Sequence, residues 1–372
     1  MNWLLIYVWV FVTVALIAGF ILPQILLIAF RKNLFDDIDP RKIHKGAVPR
    51  LGGIAFFPAI LFSILIVMGL CFKFYSTDAS LLAGKDISGL CFIGCAIIIL
   101  YLIGMADDLI GLKYRAKFGS QILSGLLIVA GGIYIDNLHG FLWVYVMPMW
   151  AAVVLTVLLT VFITNAINLI DGIDGLASGL SAIACVFYGL VLTKAGCHIY
   201  AMLAYATLGA LVPFFYYNVF GNAKKHSKIF MGDTGALTIG LILSVLSIRI
   251  TQIDDAEFPT NSAVLAFAPL LIPCLDVVRV YIHRIKAHRN PFLPDKTHIH
   301  HKLLALGMHQ RVAMPTIVVS SMVLIALNYV LSSFINITLL FIIDLGLWYL
   351  VNNLLSRAIR CRERKTGEKL YE

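Results

Sequence analysis

The sequence predicts an all-α, polytopic membrane protein of about eleven spans, with the N-terminus outside and the C-terminus cytoplasmic. Three observations predict it. Charged residues make up 13% of the 372-residue chain and hydrophobic ones 60%, whereas a soluble domain carries about 25% charged residues. Apolar runs close to the length of a membrane span recur from end to end. Lysine and arginine fall almost wholly on one set of loops, as cytoplasmic loops require.

The runs, in order, are 3–30, 51–73, 88–105, 118–135, 148–164, 176–193, 199–217, 234–250, 261–283, 313–333 and 337–355. The first is too long for a secretory leader and lacks a small-residue cleavage site, so it counts as a span. Several runs contain Gly or Pro, which membrane helices tolerate where neighbours satisfy the backbone. With the N-terminus outside, the inner loops and helix ends hold 25 of the 29 basic residues, leaving only Lys73, Lys85, Lys194 and Arg249 elsewhere. The opposite orientation would translocate nearly all of that charge. Residues 1–356 therefore read as one integral-membrane domain with five cytoplasmic loops, at 31–50, 106–117, 165–175, 218–233 and 284–312, followed by a basic cytoplasmic tail, 357–372. The net charge of +9 belongs mainly to one membrane face, where it suits anionic lipid head groups. With no soluble basic domain, no nucleic-acid partner is expected. Seven cysteines without a CxxC pair indicate neither a disulfide framework nor a zinc site.

The polar chemistry collects on the inner side. "RKIHKGAVPRLGG" (41–53) ends in a Gly pair that lets backbone approach a ligand or another helix. "MADDLIGLKYRAK" (105–117) holds Asp107 and Asp108 ahead of three cations. In "NAINLIDGIDGLA" (165–177), Asn165, Asn168, Asp171 and Asp174 recur every third residue among glycines. On an unbroken helix that stripe would turn back by about 60° per step and face polar groups to lipid, so the helix is expected to break and fold inward around a site. Asp233 opens a span within "FMGDTGAL" (230–237). The fifth loop is the longest and carries His298, His300 and His301.

Clustered carboxylates repel unless a cation or shared proton relieves them. Asp with an Asn carbonyl suits a hard ion such as Mg²⁺, which completes its shell with phosphates and water, while nearby Lys and Arg hold remaining phosphate charge. The set points to a diphosphate substrate and phosphoryl transfer at the cytoplasmic surface. Asp-Asp at a helix end also suits a solvated turn, Asp233 a helix N-cap, and the histidines an interfacial patch. Asp276, three residues before Arg279 inside the ninth span, requires a partner and is expected to form a buried salt bridge. Small residues such as Gly125, Gly131 and Gly132 suit close helix packing or a lipid groove.

These motifs resemble the polyprenyl-phosphate N-acetylhexosamine-1-phosphate transferases of glycosyltransferase family 4, which include the phospho-MurNAc-pentapeptide translocases. The resemblance covers nearly the whole chain, and "PDKTHIHHKL" (294–303) is similar to the subgroup using UDP-N-acetylhexosamines. It implies transfer of a sugar 1-phosphate, GlcNAc-1-phosphate foremost, from the UDP-sugar to undecaprenyl or another polyprenyl phosphate, with release of UMP, as the initiating step of a cell-surface glycan or lipopolysaccharide pathway. By the same resemblance Asn168 and Asp233 hold Mg²⁺, with Mn²⁺ a substitute. Asp107 and Asp108 act where the lipid phosphate attacks, and Asp171 joins the catalytic set. Asp174 and Asn218 place the uridine nucleotide, with Asn165 also on the substrate side. Lys45 contacts the nucleotide or its phosphates, and Arg289, His298, His300 and His301 line the phosphate and sugar end. Fourteen residues separate Asn218 from Asp233, more than in the translocases. The implied setting is the bacterial cytoplasmic (inner) membrane, with the site facing the cytoplasm and a homodimer left open. A secondary transporter is the rival from another class, but its site would lie near the midplane within internal repeats. An intramembrane aspartyl protease has no use for the amides and cations, and a CDP-alcohol transferase would need an Asp-Gly-x-x-Ala-Arg start that is absent.

Overall fold

The architecture is a helical bundle in the computed structural model, which describes residues 2–35, 48–74, 84–253, 261–288, 297–367 and 371. Among these, the one departure toward β-structure is an isolated antiparallel bridge between Asn137 and Val146. The helices are α1 (Trp3–Lys32), α2 (Phe56–Phe74), α3 (Gly84–Ile110), α4 (Tyr114–Ala130), α5 (Met149–Ile170), α6 (Leu176–Lys194), α7 (His198–Phe215), α8 (Gly232–Thr251), α9 (Ser262–Phe267), α10 (Leu271–Lys286), α11 (Ile299–Ala305), α12 (Gln310–Leu331) and α13 (Ile337–Thr366).

Ten stretches among the described residues are long and apolar enough to cross a membrane, with α9 and α10 forming one of them through the tight turn at Ala268–Leu270. Pro269 in that turn lacks an N–H and breaks the regular ladder. The expectation of eleven spans differs from this by α4, which has 17 residues and spans about 25 Å, short of a hydrocarbon core of roughly 30 Å.

Helix α8 is the centre of the bundle: 94% of its apolar window is buried, against 22–67% for the other stretches. A helix apolar all round belongs inside, and its hydroxyls need no outside partner. Thr238 and Ser244 each donate at 2.7 Å to the carbonyl one turn back, on Thr234 and Gly240. Small residues let its neighbours come close. A Cβ on Gly104 of α3 would lie 2.6 Å from Thr234 Cα, and one on Gly240 would lie 2.7 Å from Thr164 Cα of α5. Gly125 and Gly131 also serve packing, against Val157 and Phe92, whereas Gly132 faces open space.

One end of the bundle is closed by the 131–148 connection. There His139 Nε2 is 2.7 Å from the Thr251 carbonyl at the end of α8, and Thr338 Oγ1 at the start of α13 accepts the Leu142 N–H at 2.7 Å. The other end gathers the termini of α3, α5 and α10 with the start of α8. Helices run further here than the sequence boundaries suggest. α3 carries Asp107 and Asp108 before stopping at Gly111 (φ +67°), and the backbone breaks only at Asp171, after Asn165 and Asn168. Residues 357–366 of the basic tail continue α13 as helix.

Candidate active site

The start of α8 organises the site. Gly232 adopts φ +71°, and a Cβ there would meet the Arg50 carbonyl at 2.1 Å and Asp108 Oδ2 at 2.5 Å, so only glycine fits. The next two residues turn their N–H groups onto Asp108. Asp108 Oδ1 accepts from Asp233 N at 2.8 Å, and Oδ2 accepts from Thr234 N at 2.9 Å and Thr234 Oγ1 at 2.6 Å. Asp108 therefore caps α8 from another helix, using both oxygens on the exposed N–H groups of the first turn. The Gly52–Gly53 pair approaches a helix: Gly52 N donates to Phe230 O and Gly53 N to Met231 O, both at 2.9 Å, and a Cβ on Gly53 would collide with Gly235 backbone.

Held this way, Asp233 faces Asp107 across Lys117, from the first turn of α4. Lys117 Nζ lies 2.6 Å from Asp107 Oδ2 and bonds Asp233 Oδ2. Asp107 Oδ1 accepts the Leu112 N–H at 2.7 Å, and Asn168 Nδ2 donates to Asp233 Oδ1 at 2.5 Å. An ammonium between two carboxylates marks a cation position. The donor set is all-oxygen once the Asn168 amide is turned to present Oδ1. Among the described residues no three His, Cys, Asp or Glu side chains form a metal cage. Mg²⁺ needs none, since it takes one or two carboxylates and fills its shell with water and phosphate. The residues fit such an ion.

The 171–175 loop lies beside this group. Burial pushes the Asp171 carboxyl up to about 7, the nearby Asp174 charge adds to the shift, and Arg50 opposes it. Asp174 pairs with Lys228 at 2.5 Å. That pair edges a cavity of about 190 Å³, lined also by Gly221, His309, Arg311 and Met314. Asn218, on the π-helical turn that ends α7, clips the loop in place: its Oδ1 accepts Gly175 N at 2.6 Å and its Nδ2 donates to Ile229 O at 2.9 Å. Asn165 is spent internally as well, with its Nδ2 donating to Gln121 Oε1 at 2.7 Å and to Val161 O at 2.8 Å.

Helix α11 brings the histidines to the same loop. His298 Nδ1 is 2.9 Å from Asp276 Oδ2, and Asp276 also takes Arg279 at 2.8 Å and the Ile299 N–H at 3.1 Å. The buried salt bridge expected of Asp276 is present. His300 is 1% exposed, lies parallel to His298 at 5.7 Å and tilted to His301 at 4.2 Å, and neither of its ring nitrogens has a hydrogen-bond partner among the described residues. A Cβ on Gly172 would fall 2.2 Å from His300 Nε2, so glycine is what admits the ring. Burial, with His301 and His298 adding, holds His300 well below the usual imidazole range and hence neutral. Lys45 and Arg289 lie outside the described residues.

The glycosyl transferase family 4 profile matches residues 90–251, the stretch from α3 to the end of α8. A Bacillus subtilis protein named a probable undecaprenyl-phosphate N-acetylglucosaminyl 1-phosphate transferase is 34% identical over 294 residues, covering 79% of this chain and 76% of the relative. The chain belongs to glycosyl transferase family 4. A second relative, the decaprenyl-phosphate N-acetylglucosaminephosphotransferase of Mycobacterium tuberculosis, is 32% identical and covers 81% of this chain and 77% of its own. The undecaprenyl-phosphate alpha-N-acetylglucosaminyl 1-phosphate transferase of Escherichia coli K12 is 29% identical, covering 85% and 83%.

Sequence reasoning did not single out several residues of this candidate site. Lys117, Lys228, Thr234 and Arg50 appear in the sequence only as members of basic loops or as a residue after Asp233. The one signal for Lys117 is its place nine residues after Asp108, beyond a Gly that ends one helix and at the start of the next.

Proposed function

We propose that this protein transfers GlcNAc-1-phosphate from UDP-GlcNAc to a polyprenyl phosphate at the cytoplasmic face of a bacterial inner membrane, releasing UMP. The observation that carries the reading is the carboxylate pair Asp107–Asp233 bridged by Lys117 and flanked by Asn168, in a chain whose relatives are named for that transfer. Those names, with the "PDKTHIHHKL" segment, favour an N-acetylglucosaminyl donor over phospho-MurNAc-pentapeptide.

In this reading Asp233, with the Asn168 amide oxygen, would hold a divalent ion, which would supply charge neutralisation for the donor diphosphate. The chain's own residues do the rest. Asp108 and Gly232 fix the direction in which Asp233 points. Lys117, whose ammonium bridges Asp107 and Asp233, supplies positive charge to the acceptor phosphate beside Asp107. The Asp174–Lys228 edge and its cavity receive the nucleotide, and the His298–His301 segment closes on the sugar phosphate. Phosphoryl transfer depends mainly on alignment and charge neutralisation. A phosphate monoester has a second pKa of about 6, so the acceptor arrives largely dianionic and Asp107 serves to position it. An oxygen of the lipid phosphate bonds the β-phosphorus in line, the bond to the bridging oxygen breaks, and UMP leaves with that oxygen.

The topology in this reading has α4 as a short eleventh span, which places both the site and the C-terminal end of α13 on the inner side. The test is purified protein with polyprenyl phosphate, Mg²⁺ and a panel of UDP-hexosamines, scored for UMP. UDP-GlcNAc should turn over, chelation should stop it, and Asp233→Ala should abolish it while the protein still inserts. Absence of UMP from every donor overturns the reading. A trapped sugar-phosphoryl aspartate, formed without acceptor, overturns direct attack.

A further inference from the structure

Helix α11, which carries His300 and His301, has seven residues. Isolated helices shorter than about 12 residues are marginal in water, so its place is set by what grips it. On one side the grip is Asp276 and Arg279 of α10. On the other it is α13 and Tyr371, at three points. At the start of α11, the buried Thr297 carbonyl accepts two bonds of 2.5 Å, one from Arg279 Nη2 and one from the Tyr371 hydroxyl. In the middle, the buried Lys302 Nζ donates to Asn352 Oδ1 at 3.1 Å and Ser356 Oγ at 3.0 Å, both on α13, and lies 5.8 Å from the Tyr371 ring centre. At the end, Arg362 Nη1 reaches the Ala305 carbonyl at 3.4 Å, and its guanidinium sits against Gly307, where a Cβ would be 2.0 Å away. Tyr371 is itself tied back to α13 by its N–H to Glu363 Oε1 at 3.1 Å.

We infer that Tyr371 is a positioning residue: with Arg279 it holds the Thr297 carbonyl and thereby sets the stand of the His298–His301 segment against the 171–175 loop. Among the described residues no hydrogen bond holds the His300 ring; it is kept by packing against His298, His301 and Gly172, so its placement follows the stand of α11. The consequence for turnover rests on the proposed transfer reaction; the grip itself does not.

The experiment compares the parent with Tyr371→Phe, which removes the hydroxyl and keeps the ring, and with Tyr371→Ala. Two quantities are measured: the rate at which diethyl pyrocarbonate modifies His300, read by peptide mass spectrometry against the buried His139 as an internal control, and kcat and KM for UMP release. Loss of one hydrogen bond predicts that Tyr371→Phe speeds His300 modification about twofold to tenfold, leaves His139 unchanged, and lowers kcat by a similar factor with KM for UDP-GlcNAc held. Unchanged His300 reactivity in Tyr371→Phe overturns the inference, whether or not kcat falls and whether or not Tyr371→Ala differs. Faster His300 modification with unchanged kcat leaves the grip standing and removes the segment from the reaction. If the parent releases no UMP, the labelling still decides the grip while the functional reading falls.

Discussion

Lys117 occupies the space between Asp107 and Asp233, and its removal would leave two carboxylates facing each other. In metal-free detergent Lys117→Met should cost of order 1–3 kcal/mol, between the values for exposed and buried pairs. Such a pair relies on an external cation, so Mg²⁺ should raise the Tm of Lys117→Met more than that of the parent. An equal or smaller rise in thermal unfolding would show that Lys117 is not the counter-ion. Asp171 gives a second residue-scale prediction. Its folded carboxyl is raised to about 7, while an unfolded Asp titrates near about 3.9. The folded state therefore holds the proton longer, and stability falls as pH rises between those values. Asp171→Asn removes that dependence. Its Tm advantage over the parent should open above about pH 4 and stop widening above about pH 7; a constant gap from pH 4 to 8 would contradict the raised carboxyl. At this scale the sequence was legible in residue type and in which residues share one end of the bundle, and not in orientation. Asp107 and Asp108 are neighbours, yet a helix turns by about 100° between them, which puts one toward Lys117 and the other under α8. Asn165 and Asn218 read as substrate-side amides, but their polar atoms are engaged with Gln121, Gly175 and Ile229, partners that only the folded chain brings near.

Among the elements, the approach of α3 to α8 matters most, because it carries Asp108 to its cap. Gly104→Ala would place a methyl 2.6 Å from Thr234 Cα, and backbone cannot yield as a flexible side chain does. Overpacking of this kind costs about 1–3 kcal/mol, and the displacement falls directly on Asp233. Gly104→Ala should therefore lower Tm and reduce kcat by more than Gly125→Ala, which meets Val157 at 3.2 Å and lies away from the site. Equal activity in the two variants would separate the α3–α8 spacing from the chemistry. The spans themselves were legible because hydropathy reports burial in lipid and in protein alike. Their ends were not, since Asp107, Asp108, Asn165 and Asn168 read as loop residues by polarity while the backbone around them stays helical. Helix α4, which falls short of a span, has Gly and Ser on its buried side, which lowers its apolar length without preventing it from packing between α3 and α5.

For the whole molecule, the arrangement is a shell of lipid-facing helices around α8, with the polar chemistry at one end and the 131–148 connection at the other. A thiol-reactive, membrane-impermeant label should reach a cysteine placed at Lys225 only in inverted vesicles, and one placed at Trp143 only in right-side-out vesicles; the reverse pattern would invert the topology proposed from the basic residues. Position 225 also lies in a loop that holds its own shape. The extra length between Asn218 and Asp233 is folded on itself: Asn222 accepts from Lys224 N and from Ser227 N, the short turn Ala223–Lys225 lies between them, and Asn218 joins Ile229 at the base. Because the base is stitched shut independently of what projects from it, the tip is a place where foreign sequence can be spliced without moving Asp233, and a small epitope or fluorescent reporter inserted there would travel with a working enzyme.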